Sequence, residues 1–113
     1  MSCIFCDIAN GILPAKIIYQ DKDIIAFDDI HPKAPHHKLI IPRKHIATLN
    51  DISIDDKDLI ANMTLVSQKL AVDLNIAETG YRILINCNKD GGQVVYHLHL
   101  HLLGGCKLSF AQW

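Results

Sequence analysis

The strict alternation of histidine and leucine near the C-terminus is the feature that most constrains this chain. His97, His99 and His101 alternate with leucine at positions 98, 100 and 102. Because a β-strand points successive side chains to opposite faces, we expect the imidazoles on one face and the leucines on the other. A sheet buries leucines against a core, whereas imidazoles act as nucleophiles, acids, bases or metal ligands near neutral pH. The pattern predicts a strand over residues 93–103 whose histidine face is not core.

Length and composition indicate a single domain over residues 1–113. Half of the residues are hydrophobic and the formal net charge is −1, which gives no reason to expect bulk nucleic acid as a partner. The N-terminus lacks the pattern of a signal peptide, and the apolar runs are too short to span a membrane. We therefore expect a cytoplasmic protein whose four cysteines are thiols or metal ligands and not disulfides.

The remaining pattern predicts an α+β fold. A short helix is expected over residues 3–10, and strands over 16–20, 24–28, 38–41 and 81–86. Residues 53–56 resemble a capping box that opens the one long helix. Its apolar stripe repeats at helical spacing and consists of Leu59, Met63, Val66, Leu70 and Leu74. Strands grouped apart from one long helix and one short helix predict a mostly antiparallel five-stranded sheet.

Three interpretations of the histidine face compete. The imidazoles could fill an exposed sheet face, hold a metal with a further ligand, or perform nucleophilic catalysis at phosphorus. Residues 88–93 favour the third, because Gly91 and Gly92 let backbone N–H groups approach an anion. Asn86 and Gln93 are neutral amide donors suited to an oxyanion. No acidic residue is interleaved with the histidines, as a hard metal would require.

At this point the chain resembles a known family. Residues 92–103 (GQVVYHLHLHLL) are similar to the histidine triad (HIT) signature, which fixes three histidines, their spacing and the preceding glutamine. Further landmarks of the family extend over nearly the whole chain, at residues 3–8, 12–19, 27–30, 35–37 and 40–46. Residues 80–82 and 103–105 point to the Hint branch, the purine nucleoside phosphoramidases. The resemblance implies a HIT-like two-layer α+β fold and, for Hint members, a homodimer whose sheets join edge to edge.

The resemblance also implies an activity. The family hydrolyses bonds to the α-phosphate of purine nucleotides, and the Hint branch cleaves the P–N bond of adenosine phosphoramidates to give AMP and an amine. His99 matches the nucleophile that forms a nucleotidyl-histidine intermediate, and His101 matches the histidine near the phosphate and leaving group. His97 matches the first triad histidine, with a supporting role, and His37 a fourth histidine beside the triad. No cofactor is required for this catalysis.

The substrate contacts implied by the resemblance fall into three groups. Asp29 matches the residue that holds the ribose hydroxyls, although a carboxylate that caps a turn is the alternative for an isolated Asp. Asn86, Gly92, Gln93 and Val94 match the region beside the phosphate. The walls of the base pocket correspond to Ile4, Phe5, Ile8, Phe27, Ile30 and Leu39. His31 and His36 are expected on the surface.

Val94 departs from the family pattern. The Hint branch usually carries serine there, and valine offers only its backbone N–H to the phosphate. Loss of such a donor costs on the order of a hundredfold in rate in other enzymes. Val94 therefore motivates an alternative to the phosphoramidase, a purine-nucleotide-binding or interaction module with little turnover. Two further alternatives stay open, namely another HIT-type nucleotide hydrolase or transferase and a metal protein that uses the triad face.

The spacing of Cys3 and Cys6 is that of two zinc ligands, which do not by themselves make a structural site. Some histidine triad relatives complete such a site with two histidines, which correspond here to His45 and His97. The resemblance thus implies a structural zinc that does not touch His99. The alternative is that both cysteines are reduced and pack as small apolar groups.

Overall fold

The computed structural model of this chain describes residues 3–109. Its helices and strands follow in the order α1 (Ile4–Ala9), β1 (Ile17–Gln20), β2 (Ile24–Asp28), β3 (His36–Pro42), α2 (Lys57–Asp73), β4 (Tyr81–Leu84) and β5 (Leu100–Gly104). Two short 3₁₀ turns, Leu49–Asp51 and Ile54–Asp56, come before α2. The ends of the domain predicted over 1–113 lie outside the described residues, so its extent stays a prediction.

The five strands form one sheet in the order β1-β2-β3-β5-β4, and every neighbouring pair is antiparallel. In the central pair, Leu39 of β3 lies opposite His101 of β5, and Ile40 lies opposite Leu100. Within residues 3–109, this sheet with one long and one short helix confirms the predicted α+β class. The strand predicted over residues 38–41 was too short, because β3 extends from His36 to Pro42.

Each face of the sheet carries its own apolar cluster. The α2 face contains Leu98, Leu100 and Leu102 together with Met63, Val66 and Leu70 of the helix. The α1 face is smaller and contains Phe5, Ile8, Ile25, Phe27, Leu39 and Ile41. Because paired residues of neighbouring strands share a face, His101 lies on the α1 face beside Leu39. The leucine half of the alternating segment is therefore buried under α2, as predicted.

The histidine half differs from the prediction in two ways. The strand was expected over residues 93–103, but it is regular only at Leu100–Gly104. The segment before Leu100 continues toward the loop after β3. Its ladder stops because Pro42 has no N–H to donate, and the Pro42 carbonyl accepts a hydrogen bond from the His97 ring instead. The expectation that the histidine face is not core was wrong, since all three imidazoles are buried.

The predicted long helix is confirmed, with its apolar stripe packed on the sheet. Met63, Val66 and Leu70 are buried, while Leu59 and Leu74 pack half-buried at its two ends. The predicted capping box is present at Ser53 and Asp56, where it caps the 3₁₀ turn that leads into α2. Within residues 3–109, neither helix combines the length and apolar character needed to cross a bilayer.

Candidate functional site

A pocket of about 450 Å³ opens on the α1 face of the sheet. Ten of the eleven residues predicted for substrate binding line it, namely Ile4, Phe5, Ile8, Phe27, Asp29, Ile30, Leu39, Asn86, Gly92 and Val94. His99 and His101 also line this pocket, whereas His37 and His97 lie behind it in the buried interior. The fold thus gathers apolar residues from α1, β2 and β3 around two imidazoles.

His99 is held as a neutral imidazole whose tautomer is set by the backbone. Its Nδ1 lies 2.7 Å from the carbonyl oxygen of His97, so Nδ1–H donates to that carbonyl. Burial lowers the pKa of His99 below its ordinary value, which favours the neutral ring. The ring packs edge-on against Phe5 at a centroid distance of 5.2 Å. The lone pair consequently resides on Nε2, the state that a histidine nucleophile requires.

His37 and His101 form a hydrogen-bonded relay with a defined direction. The backbone N–H of Lys33 donates to Nδ1 of His37 at 3.1 Å, so the neutral His37 ring carries its hydrogen on Nε2. That Nε2 lies 2.9 Å from Nδ1 of His101 and donates to it. Burial lowers the pKa of His37, and it lowers the pKa of His101 to about 3. His101 therefore stays neutral with its hydrogen on Nε2, as a donor and not as a cation.

His97 connects the triad to a second cluster. Its Nε2–H donates to the Pro42 carbonyl at 2.8 Å, which leaves the lone pair on Nδ1. Burial lowers the pKa of His97 and keeps this lone pair available. Nδ1 lies 3.2 Å from Sγ of Cys3 and 3.5 Å from Sγ of Cys6. The same residue thus orients His99 through its carbonyl and faces two sulfurs through its ring.

The cluster of Cys3, Cys6, His45 and His97 fits a tetrahedral metal ion. Its four ligand atoms all lie within 4.8 Å of one another, and the two imidazole Nδ1 atoms are 3.2 Å apart. Two thiols and two imidazoles form a donor set typical of structural zinc, and the Pro42 bond supplies the outer contact that fixes a ligand ring. Burial and the neighbouring Cys3 and Asp7 raise the pKa of the Cys6 thiol to about 11. A bound cation would reverse that shift.

Asp29, His37 and His101 form a second group with converging ligand atoms, but its hydrogen bonds do not suit a metal. The Oδ2 atom of Asp29 lies 3.5 Å from Nε2 of His37. Because Nδ1 of His37 accepts the Lys33 N–H, its Nε2 carries hydrogen and offers no lone pair. The other oxygen of Asp29 accepts the backbone N–H of His31 at 2.7 Å. Asp29 is therefore both a turn carboxylate and a residue of the pocket wall.

Gln93 and Asn86 shape the loop before the triad. Both amide hydrogens of the buried Gln93 are used, because Nε2 donates to the carbonyls of Ala47 and Val95. Its Oε1 accepts the backbone N–H of Asn88, so the side chain points away from the pocket wall. The amide of Asn86 donates to the carbonyl of Gly91 at 2.7 Å. These contacts give Gln93 a positioning role for the loop in place of the direct oxyanion contact that the sequence suggested. Asn86 braces the loop with one amide hydrogen and also lines the pocket.

Gly91 and Gly92 of this loop are required for different structural reasons. A Cβ at Gly91 would lie 2.4 Å from the carbonyl oxygen of Cys87, so no larger residue fits without moving the backbone. Gly92 adopts a φ of 85°, which side chains other than glycine rarely tolerate. Val94 follows and is 85 % exposed at the rim of the pocket. A rigid turn thus presents Val94 to whatever occupies the pocket.

Sequence reasoning did not select several residues of the pocket wall. They are Leu13, Pro14, Ala15, Asp28, His31, Lys33 and Val95. Lys33 matters most, since its backbone sets the His37 tautomer and its positive charge contributes to lowering the pKa of His37 and His101. It lies between Pro32 and Pro35, where no periodic pattern marks it. His31 is exposed, as expected, but at the mouth of the pocket; His36 is half-buried.

This chain is similar to known proteins in both sequence and fold. The sequence profile of the HIT domain matches residues 10–108. The purine nucleoside phosphoramidase of Escherichia coli (strain K12) is 48 % identical over 106 residues, which cover 94 % of this chain and 89 % of the relative. The HIT family hydrolase of Legionella pneumophila Philadelphia 1 superposes with a TM-score of 0.97 at 51 % identity, covering 99 % of this chain and all of the other.

A third similar protein has a zinc ion in its crystal structure. The crystal structure of a zinc-bound histidine triad family protein from Mycobacterium smegmatis superposes with a TM-score of 0.80. It is 37 % identical to this chain, and the match covers 97 % of this chain and 81 % of the other.

The buried neutral histidines predict a stability that declines in acid. Because the pKa of His101 is lowered in the folded state, the unfolded state binds more protons once the pH falls below about 6.5. Keeping one such ring neutral at pH 5 costs about 2 kcal/mol. We expect the free energy of unfolding, measured with urea, to decline from pH 7.5 to 5, and to decline less steeply in His101→Gln. The exposed control His31→Gln should keep the wild-type slope; an unchanged slope in His101→Gln would contradict the assignment.

Proposed function

Since this chain belongs to the HIT family of nucleotide hydrolases, we propose that it cleaves the P–N bond of purine nucleoside 5′-phosphoramidates, as an adenosine 5′-monophosphoramidase does. The tautomer of His99 carries this proposal. A buried neutral imidazole with its Nδ1–H fixed on a backbone carbonyl has its Nε2 lone pair ready for attack at phosphorus. The name of the Escherichia coli relative supports the class of substrate.

The pocket suits a nucleotide in three parts. Its apolar wall, which includes Phe5, Phe27 and Leu39, suits the flat face of a purine base. The carboxylate of Asp29 suits a ribose diol, since its oxygens accept hydrogen bonds. The imidazoles of His99 and His101 face the part of the pocket left for the α-phosphate. We therefore infer AMP as the product that this pocket retains.

The proposed reaction has two steps at phosphorus. In the first, Nε2 of His99 attacks the α-phosphorus, the P–N bond breaks, and the amine leaves after taking a proton from solvent water. In the second, water attacks the same phosphorus and gives up a proton to solvent, the P–N bond to His99 breaks with its electron pair returning to Nε2, and AMP is released. The Nε2–H of His101 donates to the phosphate oxygens in both steps, since the relay from His37 holds that ring in the donor tautomer.

Trapping the intermediate tests this proposal. We expect intact mass spectrometry of wild type, quenched during turnover of an adenosine phosphoramidate, to show an adenylate on a peptide containing His99. His99→Ala should show no adduct and lose at least about a thousandfold in rate, because the nucleophile is absent. The control His36→Gln changes a histidine outside the pocket wall and should form the adduct normally. An His99→Ala protein that hydrolyses the substrate at the wild-type rate would refute the mechanism.

Val94 favours a second candidate function, a nucleotide-binding module with little turnover. Its exposed side chain at the rim of the pocket has no hydroxyl with which to stabilise a phosphoryl transition state. AMP affinity and phosphoramidate hydrolysis, measured on one preparation, separate the two functions. Tight AMP binding with negligible turnover would favour the module.

The substitution Val94→Ser measures what the missing hydroxyl contributes. We expect kcat to rise by about ten- to a hundredfold, with a smaller change in AMP affinity, because the new donor acts on the transition state. The matched control Val94→Ala shortens the side chain without adding a donor and should leave kcat near that of wild type. Equal kcat values for Val94→Ser and Val94→Ala would mean that the hydroxyl contributes nothing here.

We also propose that Cys3, Cys6, His45 and His97 hold a structural zinc ion. The converging ligand atoms and the fixed tautomer of His97 support it, as does the zinc-bound relative from Mycobacterium smegmatis. Such an ion would tie α1 to the segments that carry His45 and His97, and hydrolysis at His99 requires no cofactor. Its contribution would therefore be to folding stability.

Metal analysis of three proteins tests the zinc proposal. We expect about one zinc per chain in wild type and in His99→Ala, and loss of zinc from Cys6→Ala, because only the last variant removes a ligand. A chelator should lower the melting temperature of wild type and His99→Ala but not that of Cys6→Ala. Retention of zinc by Cys6→Ala with its loss from His99→Ala would instead support a metal on the triad face.

Finally, we propose a homodimer joined through the free edge of β4. This strand is terminal in the sheet and exposes Tyr81 and Ile83 by more than a third. An exposed edge strand with apolar side chains is a ready surface for pairing with another chain. Pairing two β4 edges would extend the sheet across both copies and bury these side chains, which the molecular mass in solution would report.

A further inference from the structure

Cys3 and Cys6 are placed as the two halves of a dithiol. Cys3 is the N-cap of α1, and its Sγ accepts the backbone N–H of Cys6 at 3.3 Å. The two Sγ atoms lie within 4.8 Å of each other. With φ −125° and ψ 118°, Cys3 is extended, and its carbonyl accepts the backbone N–H of Asp7 at 2.9 Å, so its backbone is held at the first turn of α1 beside Cys6. Residues three apart at a helix start are near enough for a disulfide.

Small oxidants have access to this pair. A second pocket, of about 600 Å³, is lined by both cysteines with Asp7 and His45, and it meets the nucleotide pocket at Ile4, Val94 and Val95. Both thiols are only half-buried. Cys87 and Cys106, by contrast, do not belong to either group of converging ligand atoms found within residues 3–109. Among residues 3–109, the chain therefore offers one pair of adjacent thiols and two thiols outside the cluster for comparison.

We propose that Cys3 and Cys6 are an oxidative modification site, at which hydrogen peroxide converts the dithiol to a disulfide and releases the zinc. One sulfur attacks the peroxide, and its electron pair breaks the O–O bond to give a sulfenic acid and water. The second sulfur attacks the first, forms the S–S bond and expels a second water, so that two electrons pass from sulfur to peroxide. A dithiol reductant reduces the disulfide and restores both thiols.

Formation of the disulfide removes two of the four zinc ligands. His45 and His97 remain, and two imidazoles hold zinc far more weakly than a full set with two thiolates. The metal part of this inference rests on the proposed zinc site, whereas the dithiol part stands independently of it and of the phosphoramidase activity. His97 loses its sulfur partners in the process, while its carbonyl still accepts the Nδ1–H of His99. The site thus lies directly behind the nucleophile.

Titration of zinc-loaded protein with hydrogen peroxide tests the proposal. We expect one zinc to be released to a chromogenic chelator for each disulfide formed, with peptide mapping that links Cys3 to Cys6. Added dithiothreitol should restore both thiols and zinc binding. The matched control, Cys87→Ser combined with Cys106→Ser, keeps the cluster and should respond like wild type. Zinc that stays bound after one equivalent of peroxide, or oxidation that maps to Cys87 and Cys106, would overturn the proposal.

Two further measurements separate a failure of the zinc site from a failure of disulfide formation. If the chain binds no zinc, the same mapping on the metal-free protein still decides whether Cys3 and Cys6 form the disulfide, and the absence of that disulfide overturns the proposal. Cys3→Ser should form no intramolecular disulfide at Cys6; because this variant also lacks a zinc ligand, its readout is the disulfide mapping and not the release of zinc. Circular dichroism of Cys3→Ser establishes that it is folded; if it is not, the Cys87 and Cys106 control with peptide mapping provides the decision.

Discussion

The end of the β3–β5 ladder at Pro42 is the constraint on which the site depends. Proline has no N–H to continue the ladder, so the chain before Leu100 leaves the regular strand. The Pro42 carbonyl then accepts the Nε2–H of His97. This one bond fixes the His97 ring, and the ring's other nitrogen faces Cys3 and Cys6. The Pro42 carbonyl, at the point where the hydrogen bonds of the ladder end, thus holds His97, the first triad histidine, in place.

From that anchor, backbone groups set the tautomers of the buried histidines in turn. The carbonyl of His97 takes the Nδ1–H of His99, and the N–H of Lys33 directs the relay from His37 to His101. Burial lowers the pKa of all four rings, so each stays neutral and each has a definite donor and acceptor side. Because backbone groups do not ionise, this arrangement keeps the donor and acceptor sides of these rings fixed at neutral pH.

Hydrophobic periodicity and the histidine motif made much of the fold and of the site predictable. The stripe Met63, Val66 and Leu70 defined α2, and the alternation around His101 placed the leucines under that helix. The resemblance to the histidine triad family brought together most of the pocket wall, from residues far apart in sequence. Strand length was less predictable, because an alternating pattern does not show where the partner strand runs out of donors. The roles of Gln93 and Lys33 were not predictable from the sequence pattern either, because they depend on which backbone groups fold beside them.

Helix α1 connects the apolar cluster of the α1 face with the cysteine–histidine cluster. A helix of six residues is not stable in isolation, so its position depends on its contacts. Phe5 and Ile8 pack into the apolar cluster of the α1 face, while Cys3 and Cys6 belong to the cluster with His45 and His97. At its C-terminal end, Arg43 donates to the carbonyl of Ala9. Because Phe5 also packs against His97 and His99, any movement of α1 that follows from changes at Cys3 and Cys6 reaches both the pocket wall and these two rings.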